Sequence, residues 1–444
     1  MKKIIAMLLA LVMVFALVAC SNSAGDDKQT DPTPGTTETT PTDTTPEVKD
    51  PEPTESEPAA PVMPNFDGEI VFGHIADLTG VEAMTGLESV TAMDFAVEQM
   101  NYAGGIAGKK VVVIHEDSKS STPESKNAAQ KLIENDKVLA ILGPTQAGHK
   151  GAVGGIVSEL KVPAIYYNAT PFGMAKGNPY IISAGGGTSQ LPTAMADYVF
   201  NDMGWRKVYT ITQDNTGGQN YMNPFIDNFK KMGGEVIEDM WVASGVSDFA
   251  SYLSKMTGGA DGLVAWFSGS DAIKLWSTWY DLGLDKSLPM VGSMHGGFTD
   301  YFILESLEET NPAVVEKILE TAVVPVAYSY LADNAENKAF VEAWEKKFGD
   351  TPDATNLPGA TWGCLQLVKA AVESIEGEVT SEALYQALTK QDIHVPEGHL
   401  TFAEGSRLAV KDVYIVKPVK TDTGYKYEVL KTYNEVPATG LVVG

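Results

Sequence analysis

Two short polar stretches have the residue types to hold a small molecule: Thr145-Gln-Ala-Gly-His149 and Asn168-Ala-Thr170. Each follows an apolar run, Leu139-Ala-Ile-Leu142 closed by Gly143-Pro144, and Val162-Pro-Ala-Ile-Tyr-Tyr167. An apolar run closed by Gly, Pro or Asn has the pattern of a buried strand ending in a turn. The groups on offer are hydroxyl, carboxamide, imidazole and backbone N–H. Such a set suits a bound carboxylate or amide, because a charged oxygen taken out of water needs several donors. It does not suit bond breaking. The six histidines, His74, His115, His149, His295, His394 and His399, have no metal-ligand spacing. No Gly-x-Ser-x-Gly elbow or Walker loop occurs, and the run Ala184-Gly-Gly-Gly-Thr188 carries no lysine. The expectation is a binder rather than an enzyme, with no cofactor and no metal.

The elements that must position these loops follow from the pattern around them. Residues 152–160 have helical character, which makes a strand–helix–strand unit with both loops at carboxyl ends of strands. Open α/β sheets bind ligands at that edge. Upstream, 69–75 and 110–115 are predicted strands, and 88–100 and 123–134 predicted helices. In 88–100 the apolar residues Val90, Met93, Phe95, Ala96 and Val97 suit packing on a sheet. Four strands separated by three helices make a parallel, doubly wound sheet. A second set follows, with strands at 207–212, 235–240, 262–267 and 289–293 and helices at 221–232, 249–256 and 271–282. A crossing at 322–327, helices at 337–348, 360–375 and 381–389, and a strand at 412–417 complete the chain. The fold class expected is α/β with two Rossmann-like lobes and a cleft between their strand ends, where ligands favour binding. Cys364, in an apolar run, is expected in the core.

The first twenty residues carry an address. Lys2 and Lys3 precede an apolar run to Ala19, a secretory signal too short for a comfortable membrane span. Leu17-Val-Ala-Cys20 resembles the bacterial lipobox, so cleavage before Cys20 and lipidation of that cysteine are expected, with the body held on the outer face of the cell membrane. Residues 21–64 are nearly all Thr, Pro, Glu, Asp and Ser. They cannot bury enough apolar surface to offset the entropy of ordering, and make an extended tether. The net charge of -26 argues against nucleic acid or anionic lipid as a ligand.

The body resembles the branched-chain amino-acid (leucine/isoleucine/valine-type) substrate-binding proteins of ABC importers. Ile75-Ala-Asp-Leu-Thr-Gly80 stands where that family runs a strand into a "PLTG"-like loop. Ala96-Val-Glu-Gln-Met-Asn-Tyr-Ala-Gly-Gly-Ile-Ala-Gly-Lys109 is close to its "A-V-E-x-I-N-x-A-G-G-I-x-G-K", the most specific of the matches. Ala140-Ile-Leu-Gly-Pro144 is similar to "V-I-G-P", and 162–170 to "V-P-x-I-x-x-x-A-T". Asp248-Phe249 and Asn337-Lys-Ala-Phe340 match shorter motifs. The resemblance implies the type I periplasmic-binding fold with a three-crossing hinge. Lobe 1 would comprise 67–187 plus 326–399 and lobe 2 188–325 plus 400–444, after a signal at 1–19 and a tether at 20–66. It further implies capture of a small solute by hinge closure and delivery to an ABC permease with its ATPase subunits. A ligand-sensing lipoprotein that signals to a membrane partner without transport is the alternative.

In that family the loops after "G-P" and at "A-T" hold the ligand's carboxylate. The residues implied here are Gln146, Ala147, His149, Asn168, Ala169 and Thr170, with Thr85 in the same lobe. Thr170 would offer hydroxyl and N–H. The family's loop serine falls on Ala147, leaving Gln146 or His149 to compensate. From the second lobe come Asp214, Tyr221, Ser268, Met294 and His295. The family's ammonium-binding carboxylate has no counterpart in Gly292-Ser-Met-His-Gly296, so Asp214 or Asp271 would have to replace it. One of Trp266 and Phe267, and at most one of Tyr166 and Tyr167, would face the ligand.

Overall fold

The computed structural model describes residues 63–441 apart from 81, 268, 293–297, 300, 350, 353–356 and 423. Cys20, the tether as far as residue 62, Ser268, Met294 and His295 lie outside the described residues.

Five parallel strands form the first sheet: β1 (Glu69–Ala76), β2 (Lys110–Asp117), β3 (Ile141–Leu142), β4 (Ala164–Tyr166) and β5 (Ile181–Ser183), in the order β2-β1-β3-β4-β5. Every residue of β3, β4 and β5 is buried. That fits parallel strands covered by helices on both faces. Alternation along the strands divides the packing. Phe72, Leu142 and Ile165 meet Met93, Ala96, Cys364 and Leu367 from the helices Ala83–Tyr102 and Leu357–Glu373. Ile75, Ile141 and Ala164 meet Ala129, Leu132, Val153 and Val157 from the helices Thr122–Glu134 and Ala147–Leu160. β5 exceeds the four expected strands; three residues are too short to carry a period.

The second lobe has four parallel strands, β6 (Lys207–Gln213), β7 (Glu235–Val242), β8 (Gly262–Trp266) and β9 (Met290–Gly292), in the order β7-β6-β8-β9. A further antiparallel sheet runs β10-β13-β12-β11, from β10 (Val324–Val326), β11 (Ile393–Val395), β12 (Gly398–Phe402) and β13 (Ala409–Thr421), with β14 (Gly424–Val436) on β13. Gly292 N–H donates to Val323 O at 3.3 Å and joins the two sheets. The β13–β14 hairpin extends well beyond the strand expected at 412–417. Its second strand buries Tyr425 and Tyr427 between outward Lys426 and Glu428, the two-residue period of a one-sided strand.

Three segments cross between the lobes, near Gly187, Val326 and Leu408. Gln190 pins two of them: its Oε1 accepts from Gly187 N–H at 2.9 Å, and its Nε2 donates to Ala409 O at 3.1 Å and Val436 O at 2.7 Å. Gly187 must be glycine, because a Cβ there would lie 2.0 Å from Ala438 O. Leu400 packs with Leu142 and Ile182, and Leu408 with Ile181. The chain therefore stays with the first sheet to about Leu408, past the expected boundary at 399.

Candidate functional site

The carboxyl ends of β1, β3 and β4 converge on one edge of the first sheet. The helix expected at 152–160 begins earlier, at Ala147, with Gln146 extended at its N-cap. Ala147 and His149 are thus residues of its first turn rather than of a loop. Gly148, Gly151, Gly154 and Gly155 are poor helix formers and hide this start from a propensity reading. The two polar stretches are stitched together, since Asn168 Nδ2 donates to Thr145 O at 3.0 Å. Asn168 Oδ1 is buried with no hydrogen-bond partner among the described residues.

Carboxylates that sequence reasoning passed over line the same edge. Asp77, just past β1, is 2% exposed and accepts from the Ser118 hydroxyl, and His149 Nδ1 lies 3.3 Å from its Oδ1. Glu82 Oε2 accepts from Gln146 Nε2 at 3.2 Å. Asp77 had a legible signal, a charge directly at the end of an apolar strand. Thr85 is half-buried one turn into the helix Ala83–Tyr102.

Lys150 was also missed. It is 1% exposed, and its Nζ donates to Asn168 O at 3.1 Å, Ala169 O at 2.8 Å and Thr170 Oγ1 at 3.4 Å. Burial pushes its pKa down to about 7. Lys150, Val153 and Val157 fall at i, i+3 and i+7 and face the sheet, a spacing visible once the helix is started at Ala147. The lysine cages the Asn168–Thr170 turn from behind.

Thr170 departs from expectation. It is fully buried, its N–H donates to Gly186 O at 3.0 Å, and its hydroxyl lies between Lys150 and Asn168 O. Both donors are used inside the lobe, because the turn must bridge to the first crossing segment. Ala169 and Asn168 remain half-exposed. Neither tyrosine is open to solvent: the Tyr166 hydroxyl donates to Lys150 O at 2.8 Å, and the Tyr167 hydroxyl sits 3.1 Å from both Thr145 Oγ1 and His74 Nε2.

In the second lobe, Asp214 is exposed just after β6, with its Oδ1 accepting from Gln219 Nε2 at 3.3 Å. Tyr221 is not at a helix start. The helix begins at Thr216, capped by Asn215 on Gly218 N–H at 2.9 Å, which puts Tyr221 in the core among Met222, Phe225 and Trp266. Its hydroxyl has no partner among the described residues, and burial raises its pKa. Gly218 lets this helix start press on β6, since a Cβ would lie 2.1 Å from Gln213 O. Trp266 packs against Gly217 at the same place, and Phe267 is core against Phe249. Asp271 is committed inside the lobe, accepting from Gly245 N–H at 2.6 Å and Gln213 Nε2 at 3.3 Å and pairing with Lys274. Of the two carboxylates considered for an ammonium, only Asp214 stays free to reach one. A cavity of about 380 Å³ bounded by Val71, Leu139 and Thr380 opens at the opposite edge of the first sheet, away from these loops.

A model of the periplasmic binding protein family matches residues 69–424. The chain belongs to that family. Within it, the chain is similar to a Leu/Ile/Val-binding protein homolog of Brucella melitensis, 24% identical over 374 residues that make up 83% of this chain and 93% of that one. A Rhodopseudomonas palustris solute-binding protein of an ABC transporter, solved with 3,4-dihydroxybenzoic acid, is 26% identical with a TM-score of 0.71, over 83% of this chain and 98% of that one. The Streptococcus pneumoniae branched-chain amino-acid binding protein LivJ, solved with isoleucine, shares the fold at 23% identity and a TM-score of 0.68, over 82% and 99%. The resemblance read from the motifs, and the type I fold in two lobes, hold.

Proposed function

We propose that this periplasmic binding protein captures a small polar solute, an amino acid or a related carboxylate or amide, between its lobes by hinge closure. It then presents that solute to an ABC permease powered by partner ATPase subunits, while lipid on Cys20 keeps it at the outer face of the cell membrane. The observation that carries the reading is the joined pair of loops at the carboxyl edge of β3 and β4. There the Thr145 hydroxyl and the N–H groups of the first turn at Ala147–His149 stand beside Asn168 and Ala169, with the Asn168 and Gln146 amides braced on Thr145 O and Glu82. A helix N-terminus adds partial positive charge to such donors. Ser268, Met294 and His295 belong to the second-lobe side of the same reading, with Asp214 as the carboxylate for any ammonium.

The likeness to proteins that hold dihydroxybenzoate and isoleucine supports a carboxylate as the common chemical handle. The test is native mass spectrometry of freshly purified protein, followed by thermal shift with isoleucine, benzoate and small amides. A ligand that binds only the folded state raises its melting point. A co-purified or stabilising carboxylate or amide supports the reading. No bound mass and no shift with any compound in the panel would remove it.

A further inference from the structure

Most polar side chains at the first-lobe edge are spent on the protein itself. Lys150 Nζ gives its hydrogens to Asn168 O, Ala169 O and Thr170 Oγ1. The Thr170 hydroxyl lies on Asn168 O, and Asp77 is held by the Ser118 hydroxyl and His149. Two carboxamides are held at one end only. Gln146 Nε2 lies 3.2 Å from Glu82 Oε2, and Asn168 Nδ2 lies 3.0 Å from Thr145 O.

Both partners accept and neither donates, since one is a carboxylate and the other a backbone carbonyl. Each amide must therefore turn its nitrogen to that partner. Oxygen and nitrogen sit on the two arms of one plane, so each oxygen is fixed on the arm away from its brace. Asn168 Oδ1 ends there buried, with no hydrogen-bond partner among the described residues. Gln146 makes no other side-chain hydrogen bond among the described residues. Each nitrogen keeps a second hydrogen. Gln146 thus offers an acceptor and a donor side by side, in a plane set by Glu82.

Ligand ends answer this pattern differently. A carboxylate only accepts: it meets the N–H, leaves the amide oxygen unmet, and brings negative charge beside Glu82 and Asp77. An ammonium only donates and meets the oxygen alone. A primary amide has one oxygen and two N–H groups and meets both halves. Out of water, an amide oxygen left without a donor is costly.

We propose that the solute carries a primary carboxamide, read by Gln146 with Glu82 as the residue that positions it. The proposal rests on the reading that these two loops hold the ligand, and narrows that reading to amides. Glu82 is placed for the part. It is half-buried just before the helix Ala83–Tyr102, and its own N–H donates to Ser120 Oγ at 3.0 Å. Ser120 donates in turn to Thr79 O at 2.9 Å, which fixes the brace to the loops that follow β1 and β2.

The test is calorimetry on the purified protein, stripped of any bound ligand, with matched compounds on two skeletons. One set is isovaleramide, isovalerate and isobutyl methyl ketone; the other is benzamide, benzoate and acetophenone. In each ketone a methyl group replaces the amide's NH2 at nearly equal shape and without charge. On the skeleton that fits, the amide should bind about tenfold more tightly than ketone or acid, the worth of one hydrogen bond. Gln146→Met should bring amide and ketone within about twofold of each other. Glu82→Leu removes the brace and should cut the advantage to about threefold, because an unheld side chain must be ordered by the ligand. Glu82→Gln should restore it, since its carbonyl still accepts from Gln146 Nε2. Amide and ketone are both neutral, so the lost Glu82 charge does not enter their ratio.

An acid or ketone that binds as tightly as the amide overturns the proposal. So does an advantage that survives Gln146→Met or is untouched by Glu82→Leu. If valine or benzoate binds tightly while the amides do not, the loops hold a ligand and only the amide assignment falls. Silence of every compound removes the ligand-loop reading and the proposal with it.

Discussion

Replacing Lys150 with methionine tests how the Asn168–Thr170 turn is held. Methionine keeps the length of the side chain and removes the amine. Two buried carbonyls, Asn168 O and Ala169 O, lose their donor, at a cost of roughly 1–3 kcal/mol each. Against this stands relief of burying an amine whose pKa in the fold is about 7, compared with about 10.4 in the unfolded chain. Near pH 7 that depression costs the wild type about 4 kcal/mol, at about 1.36 kcal/mol per unit. The two terms nearly cancel, so Lys150→Met should change stability by under about 2 kcal/mol at pH 7. The pH dependence separates them. Between the folded and unfolded pKa values, unfolding takes up a proton, so raising the pH stabilises the wild type. From pH 7 to pH 9 the gain is about 2 kcal/mol, and the methionine variant lacks it. Urea unfolding of both proteins at the two pH values measures the difference. An equal effect of the substitution at pH 7 and pH 9 would refute the reasoning and show the ammonium stays charged within its three acceptors.

Tyr221→Phe removes a buried hydroxyl without a partner; stability by denaturant unfolding should rise by about 1 kcal/mol with ligand affinity unchanged, and a loss of affinity would place Tyr221 at the ligand. Asp214→Asn should weaken binding of isoleucine by about tenfold in calorimetry while sparing benzoate, because only the former brings an ammonium for the exposed carboxylate. Gly218→Ala puts a Cβ on Gln213 O. The strained helix start should lower stability by about 2 kcal/mol in thermal or urea unfolding; a neutral result would show that the helix end gives way easily.

Much of the architecture was legible because parallel strands with both faces covered are continuous apolar runs, and their turns carry Gly, Pro and Asn. Both loops of the candidate site were found on that ground. Motif likeness supplied what periodicity could not, the three crossings between the lobes. The failures have physical causes. A helix start rich in glycine does not announce itself, and with Ala147 as its first residue Lys150 moves from solvent to the core. Short β5 has no period to read.

The sequence by itself determined the alternation of strands and helices, the polar loops at their carboxyl ends, and a family resemblance that the whole body sustains. These are local properties, set by side-chain period and turn chemistry. Only the tertiary structure decided which polar groups are spent and which are free. Thr170 spends its N–H on Gly186 O and its hydroxyl on Asn168 O, and Asp271 accepts from Gly245 N–H and pairs with Lys274, while Asp77 and Glu82 enter the edge beside Gln146 and His149. Several of these partners are distant along the chain: Lys150 stands about twenty residues from Thr170, and Gln146 more than sixty from Glu82. Satisfying a buried polar group depends on what the fold brings within 3 Å of it, and no local pattern encodes that.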